Sequence, residues 1–171
     1  DPERYYMPNQ YDNLNNPKAH ELTTGPEIVA QTGGTLSHFV AGMGTGGTLM
    51  GTAAYLRNHV PSVKVVGIEP PLGHTIQGLK NMHEAIVPAI YHEDRLDLKI
   101  VIDDDLAFDT ARKLAAHEGI FCGMSGGAAM AGAFQLAATL EKGTIVVIIP
   151  DRGDRYLSTN LFKSMCANCP P

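Results

Sequence analysis

An α/β domain, built on a mostly parallel sheet with helices on both faces, is the fold class this sequence predicts, and three observations predict it. The runs KVVGIE at 64–69, LKIVID at 98–103 and TIVVIIP at 144–150 are apolar throughout rather than alternating, as strands covered on both faces must be. Segments with helical spacing alternate with these runs, which is the order of a layered α/β chain. Two glycine-rich turns, one around 42–48 and one around 123–127, each lead from a strand-like run into a helix, the place where open α/β sheets hold ligands. A chain of 171 residues with 44% apolar content buries one core, so one domain is expected over 1–162 with a tail at 163–171.

Residues 5–7 read as a short strand, and Asn13, Asn15, Asn16 and Pro17 as a loop. Thr24 is placed to cap a short helix with Pro26 in its first turn and Gly33-Gly34 at its end. SHFVA at 37–41 is the strand before the first glycine turn, and Leu49, Ala53, Leu56 and Val60 give the helix after it. KVVGIE follows as a strand. Pro70, Pro71, Gly73 and Gly78 break regular structure up to about residue 98. LKIVID is then a strand, Asp104 or Asp105 a helix cap, and Leu106 to His117 a helix stopped by Gly119. Ile120 to Cys122 reads as a strand, Ala128 to about Leu140 as a helix of small residues, and TIVVIIP as the last strand.

Composition excludes several function classes. The net charge is −5 and the basic residues are scattered without a stripe, which argues against nucleic acid as a partner. The longest clear apolar run is IVVII at 145–149, far short of a membrane span. No leader pattern opens the chain, and DPERYYMPNQ reads like the middle of a longer sequence. Three cysteines make no disulfide framework, so a reducing cytoplasm is the expected location.

The first turn, Gly42-Met43-Gly44-Thr45-Gly46-Gly47-Thr48, suits a negatively charged ligand. Glycines let backbone N–H groups converge, and the helix that follows offers unpaired donors and the positive end of its dipole. Gly42, Gly44 and Gly47 match G-x-G-x-x-G, and Glu69 ends the next strand about where a ribose-binding acid stands in a dinucleotide fold. A nicotinamide or flavin enzyme is therefore one reading. A small phosphorylated cofactor without a ribose is the other. A nucleoside triphosphatase is disfavoured, because no Lys-Ser or Lys-Thr pair follows the glycines.

The second turn, Gly123-Met124-Ser125-Gly126-Gly127, fits the G-x-S-x-G nucleophile elbow. All seven histidines precede Ser125, whereas that fold needs a histidine after the serine. Ser125 reads instead as the cap of a helix starting near Gly126, or as a hydroxyl facing a ligand held by the first turn.

Taken together, GMGTGGTLMGTAAYLR, TTGPEI, NNPKAHE, EGIFCGMSGGAA and DRGDRYLSTNLF resemble the C-terminal half of the pyridoxal-phosphate-dependent cysteine synthases. The similarity runs from residue 5 to about 162. It is greatest to the B-type O-acetylserine or O-phosphoserine sulfhydrylases and extends to cystathionine β-synthase. The resemblance implies a fold-type II C-terminal cofactor-binding domain over 1–162, with pyridoxal 5′-phosphate as cofactor. Gly44, Thr45, Gly46, Gly47 and Thr48 would bind its phosphate and Ser125 the pyridine nitrogen. Gln10 would lie near the substrate carboxylate, and Gly78 close to cofactor and substrate. A hydroxyl opposite the ring nitrogen does not hold that nitrogen protonated as a carboxylate would, which favours replacement at Cβ over transamination. The implied activity replaces acetate or phosphate on an activated serine with sulfide or another sulfur donor. Cystathionine β-synthase and serine/threonine dehydratase are the alternatives within the same family.

The family's Schiff-base lysine and its Thr-Ser-Gly-Asn carboxylate grip belong to the N-terminal half, and none of the lysines here, at 18, 64, 80, 99, 113, 142 and 163, stands in such a context. The expected partners are accordingly that N-terminal half, the small-molecule substrates, and a second copy of the assembled enzyme as a homodimer. A non-catalytic half-enzyme that only binds cofactor is the alternative of another class, beside the nicotinamide-dependent oxidoreductase. Ser125-Gly126 replaces the two serines of many relatives, and 72–98 lacks the longer glycine-rich insertion of A-type enzymes. His74, His83 and His92 read as surface or loop residues, Cys122 as a buried strand residue. Cys166 and Cys169 form a C-x-x-C in a proline-rich tail that reads as neither a redox nor a zinc site.

Overall fold

The computed structural model describes residues 3–84 and 86–162. Cys166, Cys169 and the tail at 163–171 lie outside them. Among the described residues the order is α1 (Asn15–Leu22), α2 (Thr24–Thr32), β1 (His38–Gly42), α3 (Gly47–His59), β2 (Lys64–Glu69), β3 (Leu98–Val101), α4 (Asp104–Lys113), α5 (Met124–Ala137) and β4 (Ile145–Val147). The strands form one sheet in the order β3-β2-β1-β4, every pair parallel, with Phe39 opposite Val65 and Val146. The expected fold class is the observed one.

Alternate residues of the central strands point to opposite faces, and both faces are covered. Phe39, Ala41 and Val65 pack with Leu49, Ala53 and Leu56 of α3 and Ile28 of α2. Val40, Val66 and Ile68 pack with Ala107 and Ala111 of α4 and Ala128 and Ala131 of α5. This is why the strands are apolar throughout. The chain leaves β1 through α3 on one face and reaches β4 through α4 and α5 on the other. The carboxyl ends of β1 and β4 therefore border the crevice where such sheets bind ligands.

Several elements differ from the sequence expectation. Residues 5–7 form no strand, and Tyr5, Tyr6 and Met7 are exposed. The asparagine-rich stretch read as a loop contains α1, which buries no residue of its own and so carries no apolar stripe. It docks on α3 where small residues admit it: a Cβ on Gly51 would meet the Pro17 carbonyl oxygen at 1.9 Å. The N-cap of α2 is Thr23, one residue early and without a side-chain cap bond, while Gly33 ends the helix in the left-handed region as expected. The cap of α4 is Asp103 rather than Asp104 or Asp105, its carboxylate accepting the Leu106 N–H at 2.8 Å. A widened turn over Leu114–Glu118 then runs to Gly119. Ile120 to Cys122 is not a strand but contributes one antiparallel bridge, Cys122 to Arg152. The helix expected from Ala128 starts at Met124. The outer strands are shorter than their apolar runs, each ladder ending with one last bond, from Ile102 N–H to the Glu69 carbonyl and from Ile148 N–H to the Val40 carbonyl, both at 3.0 Å. His83 and His92 are exposed, whereas His74 is half-buried and its Nδ1 accepts the Ile76 N–H.

Asp97 clamps the amino end of the sheet. Its carboxylate accepts from Val65 N–H at 2.9 Å and pairs with Lys64 at 3.0 Å and Arg57 at 3.1 Å. Partial burial works against its charge, but the Val65 N–H and the two cations outweigh it and hold the carboxyl below its ordinary pKa. A lowered acid pKa adds stability that is present above the unfolded value, about 4, and is lost as pH falls through the folded value. Asp97→Asn is expected to cost about 1 kcal/mol at neutral pH after solvent screening. Thermal melts from pH 7 to pH 3 check this: the gap between variant and wild type should narrow on acidification.

Candidate active site

β1 delivers the first glycine turn to the carboxyl edge of the sheet. Met43 is still tied to β2, its N–H donating to the Ile68 carbonyl at 2.8 Å. Beyond it the backbone is released. Gly46, at φ 87° in the left-handed region, is the N-cap of α3, with no side-chain cap and no acidic residue in the first turn. The first helical bond runs from Met50 N–H to the Gly46 carbonyl at 2.9 Å. The N–H groups of Gly44, Thr45, Gly46, Thr48 and Leu49 find no acceptor among the described residues, and that of Gly47 reaches only Thr45 Oγ1 at 3.5 Å. Unpaired donors at the positive end of a helix are the donor set of a phosphate site.

Two side chains of α1 hold the threonines of this turn. Asn16 Nδ2 donates to Thr45 Oγ1 at 3.1 Å and to the Gln10 carbonyl at 2.7 Å. The ring of His20 bridges Thr24 Oγ1 at 3.0 Å and Thr48 Oγ1 at 3.3 Å. Burial lowers the His20 pKa, so the ring is neutral at pH 7. Gln10 is thus linked to the turn through its backbone, while its side chain is exposed. Sequence reasoning missed Asn16 and His20, although both lie in the NNPKAHE stretch. Their spacing of four on one helix is the signal that was available.

Gly78 joins the two glycine turns. It has φ 91°, and its carbonyl oxygen lies 2.7 Å from where a Cβ on Gly44 would stand. On its other side, Ser125 Oγ is 3.5 Å from the position of a Cβ on Gly78. Lys80 N–H donates to the Met43 carbonyl at 2.8 Å and Gln77 N–H to Met124 Sδ at 3.5 Å, so residues 77–80 are strapped between the turns. Gly44, Gly78 and Ser125 come together. Ser125 is 4% exposed, and its hydroxyl has no hydrogen-bond partner among the described residues.

The two turns look alike in sequence and differ in charge. Ser125 is not the cap of α5. The N-cap is Gly123, and the capping group is Asp151, which follows β4. Its carboxylate accepts from Gly123, Ser125 and Gly126 N–H at 3.2, 3.2 and 3.0 Å. The start of α5 is filled by an anion, that of α3 is open. Of these two helix starts, that of α3 is the one whose donors are free for an anion. Nothing in the spacing of the sequence singled out Asp151.

Glu69 does not serve as a ribose ligand. It is 2% exposed, accepts the Met82 N–H at 2.8 Å and pairs with Lys99 at 3.3 Å. It fastens the irregular segment to the sheet, so the dinucleotide reading loses its acid.

The model of the "Pyridoxal-phosphate dependent enzyme" family matches residues 1–151. The chain belongs to that family. It is 46% identical over 153 residues to cysteine synthase B of Pseudomonas aeruginosa, covering 90% of this chain and 51% of that protein. It is 46% identical over 167 residues to a cysteine synthase of Aquifex aeolicus, covering 95% of this chain and 51% of that protein. Among solved structures, O-ureido-L-serine synthase matches with a TM-score of 0.88 at 40% identity, over 96% of this chain and 55% of that one. This member of the pyridoxal-phosphate dependent family thus spans about half the length of the curated relatives it matches, and its sheet has the fold of solved members.

Proposed function

We propose that this chain supplies the phosphate-binding and ring-nitrogen side of a pyridoxal-phosphate-dependent cysteine synthase acting on an activated serine, O-acetylserine or O-phosphoserine, with sulfide or another sulfur donor. The observation that carries the proposal is the uncapped start of α3, where five backbone N–H groups lack acceptors among the described residues, beside Gly78 and the Ser125 hydroxyl, which has no partner among them either. When bound, the cofactor acts as the electron sink that lets a leaving group depart from Cβ. The chain's own residues do the rest. Residues 44–48 anchor the phosphate, Asn16 and His20 hold the Thr45 and Thr48 hydroxyls in place, and Ser125 offers a neutral hydroxyl to the ring nitrogen. Gly78 takes the left-handed backbone, at φ 91°, that side-chain-bearing residues rarely adopt, and its carbonyl closes on Gly44, where a Cβ would clash. Names of similar solved structures support an O-substituted serine as the substrate class, since an O-acetylserine sulfhydrylase and an O-acetylserine-dependent cystathionine β-synthase stand among them.

A lysine for the cofactor is expected from elsewhere. Among the described residues Lys64, Lys99 and Lys113 are ion-paired, Lys80 lies over the Tyr11 ring, and Lys18 and Lys142 are exposed. We take the remaining half of the enzyme to provide it, together with the second wall of the cleft, and two such assemblies to form the homodimer.

Reconstitution tests this reading. The 171-residue chain combined with the other half of the enzyme is expected to gain the visible absorption of lysine-bound cofactor and to make cysteine from O-acetylserine and sulfide. The chain alone should do neither. Turnover by the chain alone, with cofactor fixed on one of its own lysines, contradicts the proposal. Thr45→Val with Thr48→Val should weaken cofactor retention about tenfold or more, with smaller change in turnover once cofactor is saturating. Equal retention after dialysis contradicts the phosphate role.

A further inference from the structure

Asp151 is more than a helix cap. We propose that it is the positioning residue of Ser125, holding that residue's backbone so that the hydroxyl stands beside Gly78 and faces the cofactor's ring nitrogen. The inference rests on the role given to Ser125 above. Three observations carry it.

First, the cap is shared unevenly between the two oxygens. Oδ1 accepts from Gly123 and Gly126, whereas Oδ2 accepts from Ser125 alone. One oxygen is therefore committed to the backbone of the serine. Second, the surrounding chain leaves room for this carboxylate only because residues 123 and 126 are glycines. A Cβ on Gly123 would lie 2.3 Å from Oδ2, and a Cβ on Gly126 would lie 2.8 Å from Oδ1. Third, the carboxylate is itself immobilised. Gly153 N–H donates to the Phe121 carbonyl at 3.0 Å, part of the bridge between Cys122 and Arg152, so the residues flanking Asp151 and the start of α5 are tied together. Tyr156, 8% exposed, closes the other side. Its hydroxyl is pushed up to about 12 by burial and then by the Asp151 charge, so it stays protonated.

With its N–H and its backbone held from below, Ser125 spends no local bond on its hydroxyl. A serine that capped its own helix would turn the hydroxyl back to a backbone N–H. Asp151 performs that task from 26 residues away in the chain and leaves the hydroxyl available. It also offsets the positive end of α5, so the serine would meet a ring nitrogen as a neutral hydrogen-bonding group rather than at an electropositive helix end.

Asp151→Asn separates positioning from general support. The amide oxygen can still accept from Gly123 and Gly126, but the amide nitrogen then faces the Ser125 N–H, donor against donor. In the cofactor-free enzyme, amide hydrogen exchange at Ser125 is expected to accelerate about tenfold or more, with smaller changes at Gly123 and Gly126. In the holoenzyme, Asp151→Asn and Ser125→Ala should each shift the cofactor's absorption and its pH dependence and lower turnover. The double variant should be no worse than Ser125→Ala, since a residue acting through the serine has nothing left to act on. Fully additive effects overturn the proposal. So does an unchanged Ser125 exchange rate and cofactor spectrum in Asp151→Asn while Ser125→Ala moves the spectrum; the reading of Ser125 then survives. If Ser125→Ala itself leaves the spectrum and turnover unchanged, the role of Ser125 falls and this inference falls with it.

Discussion

Gly44→Val is expected to abolish retention of pyridoxal phosphate while leaving the domain folded. A Cβ at this position would stand 2.7 Å from the Gly78 carbonyl oxygen, a backbone atom that cannot swing aside as the end of a side chain would. One of the two segments must move, and both border the site. If residue 44 turns away, the N–H groups of Gly44, Thr45 and Gly46 no longer converge. Each charge-assisted bond to a phosphate is worth about 1.5–3 kcal/mol, so losing two of them weakens binding about a hundredfold or more. The core beneath is untouched, because Met43 and Leu49 on either side of the turn are fully buried and keep their contacts. Equilibrium dialysis of the assembled enzyme reads the affinity and circular dichroism the fold. Affinity within about threefold of wild type contradicts the placement of the phosphate.

Gly51→Val is expected to have the second-largest effect, through a helix that touches the site only by its side chains. The contact with the Pro17 carbonyl leaves no room for a larger residue on this face of α3, so the variant pushes α1 outward. Overpacking of this kind costs about 1–3 kcal/mol. The same displacement withdraws Asn16 from Thr45 and His20 from Thr48, so cofactor affinity should fall together with the melting temperature. Gly33→Ala, which has open space around its Cβ but sits at φ 58°, serves as a comparison: it should cost stability without loss of affinity. If Gly51→Val lowers the melting temperature and leaves cofactor affinity intact, α1 does not support the phosphate turn.

Acidification gives a related expectation. Burial lowers the His20 pKa, so the unfolded chain takes up a proton more readily than the folded one. That contribution to stability is present above the ordinary histidine value, about 6.5, and is lost as pH falls through the folded value. Melts of wild type and His20→Gln between pH 7.5 and pH 5 should show a steeper decline for the wild type. Parallel curves contradict a neutral, partly buried ring between the two threonines.

The central sheet was legible in the sequence because both faces of β1 and β2 are covered, and residues such as Phe39, Val40, Val65 and Val66 must all be apolar. The α3 turn was legible because glycines that admit close backbone contact and open donors have no substitute. What escaped has a common physical cause. α1 has no buried residue of its own, so no apolar period marks it. Its structure comes from the glycine face of α3, which only the fold brings opposite. Asp151 caps a helix whose N-cap, Gly123, lies 28 residues earlier, and no local pattern of the kind that marks Asp103 at α4 joins the two. Glu69 misled for the converse reason. Its position after a strand suits a ribose ligand, but the chain returns through Met82 and Lys99 and consumes both of its oxygens.

The most direct measurement is a crystal structure of the assembled enzyme grown with pyridoxal phosphate, read at the two helix starts. The account predicts phosphate density at the amino end of α3, within hydrogen-bonding distance of the N–H groups of Gly44, Thr45, Gly46 and Thr48, with the ring nitrogen against Ser125 Oγ and the Asp151 carboxylate still on the first turn of α5. Phosphate seated at the start of α5 with Asp151 displaced, or held anywhere away from residues 44–48, would contradict it.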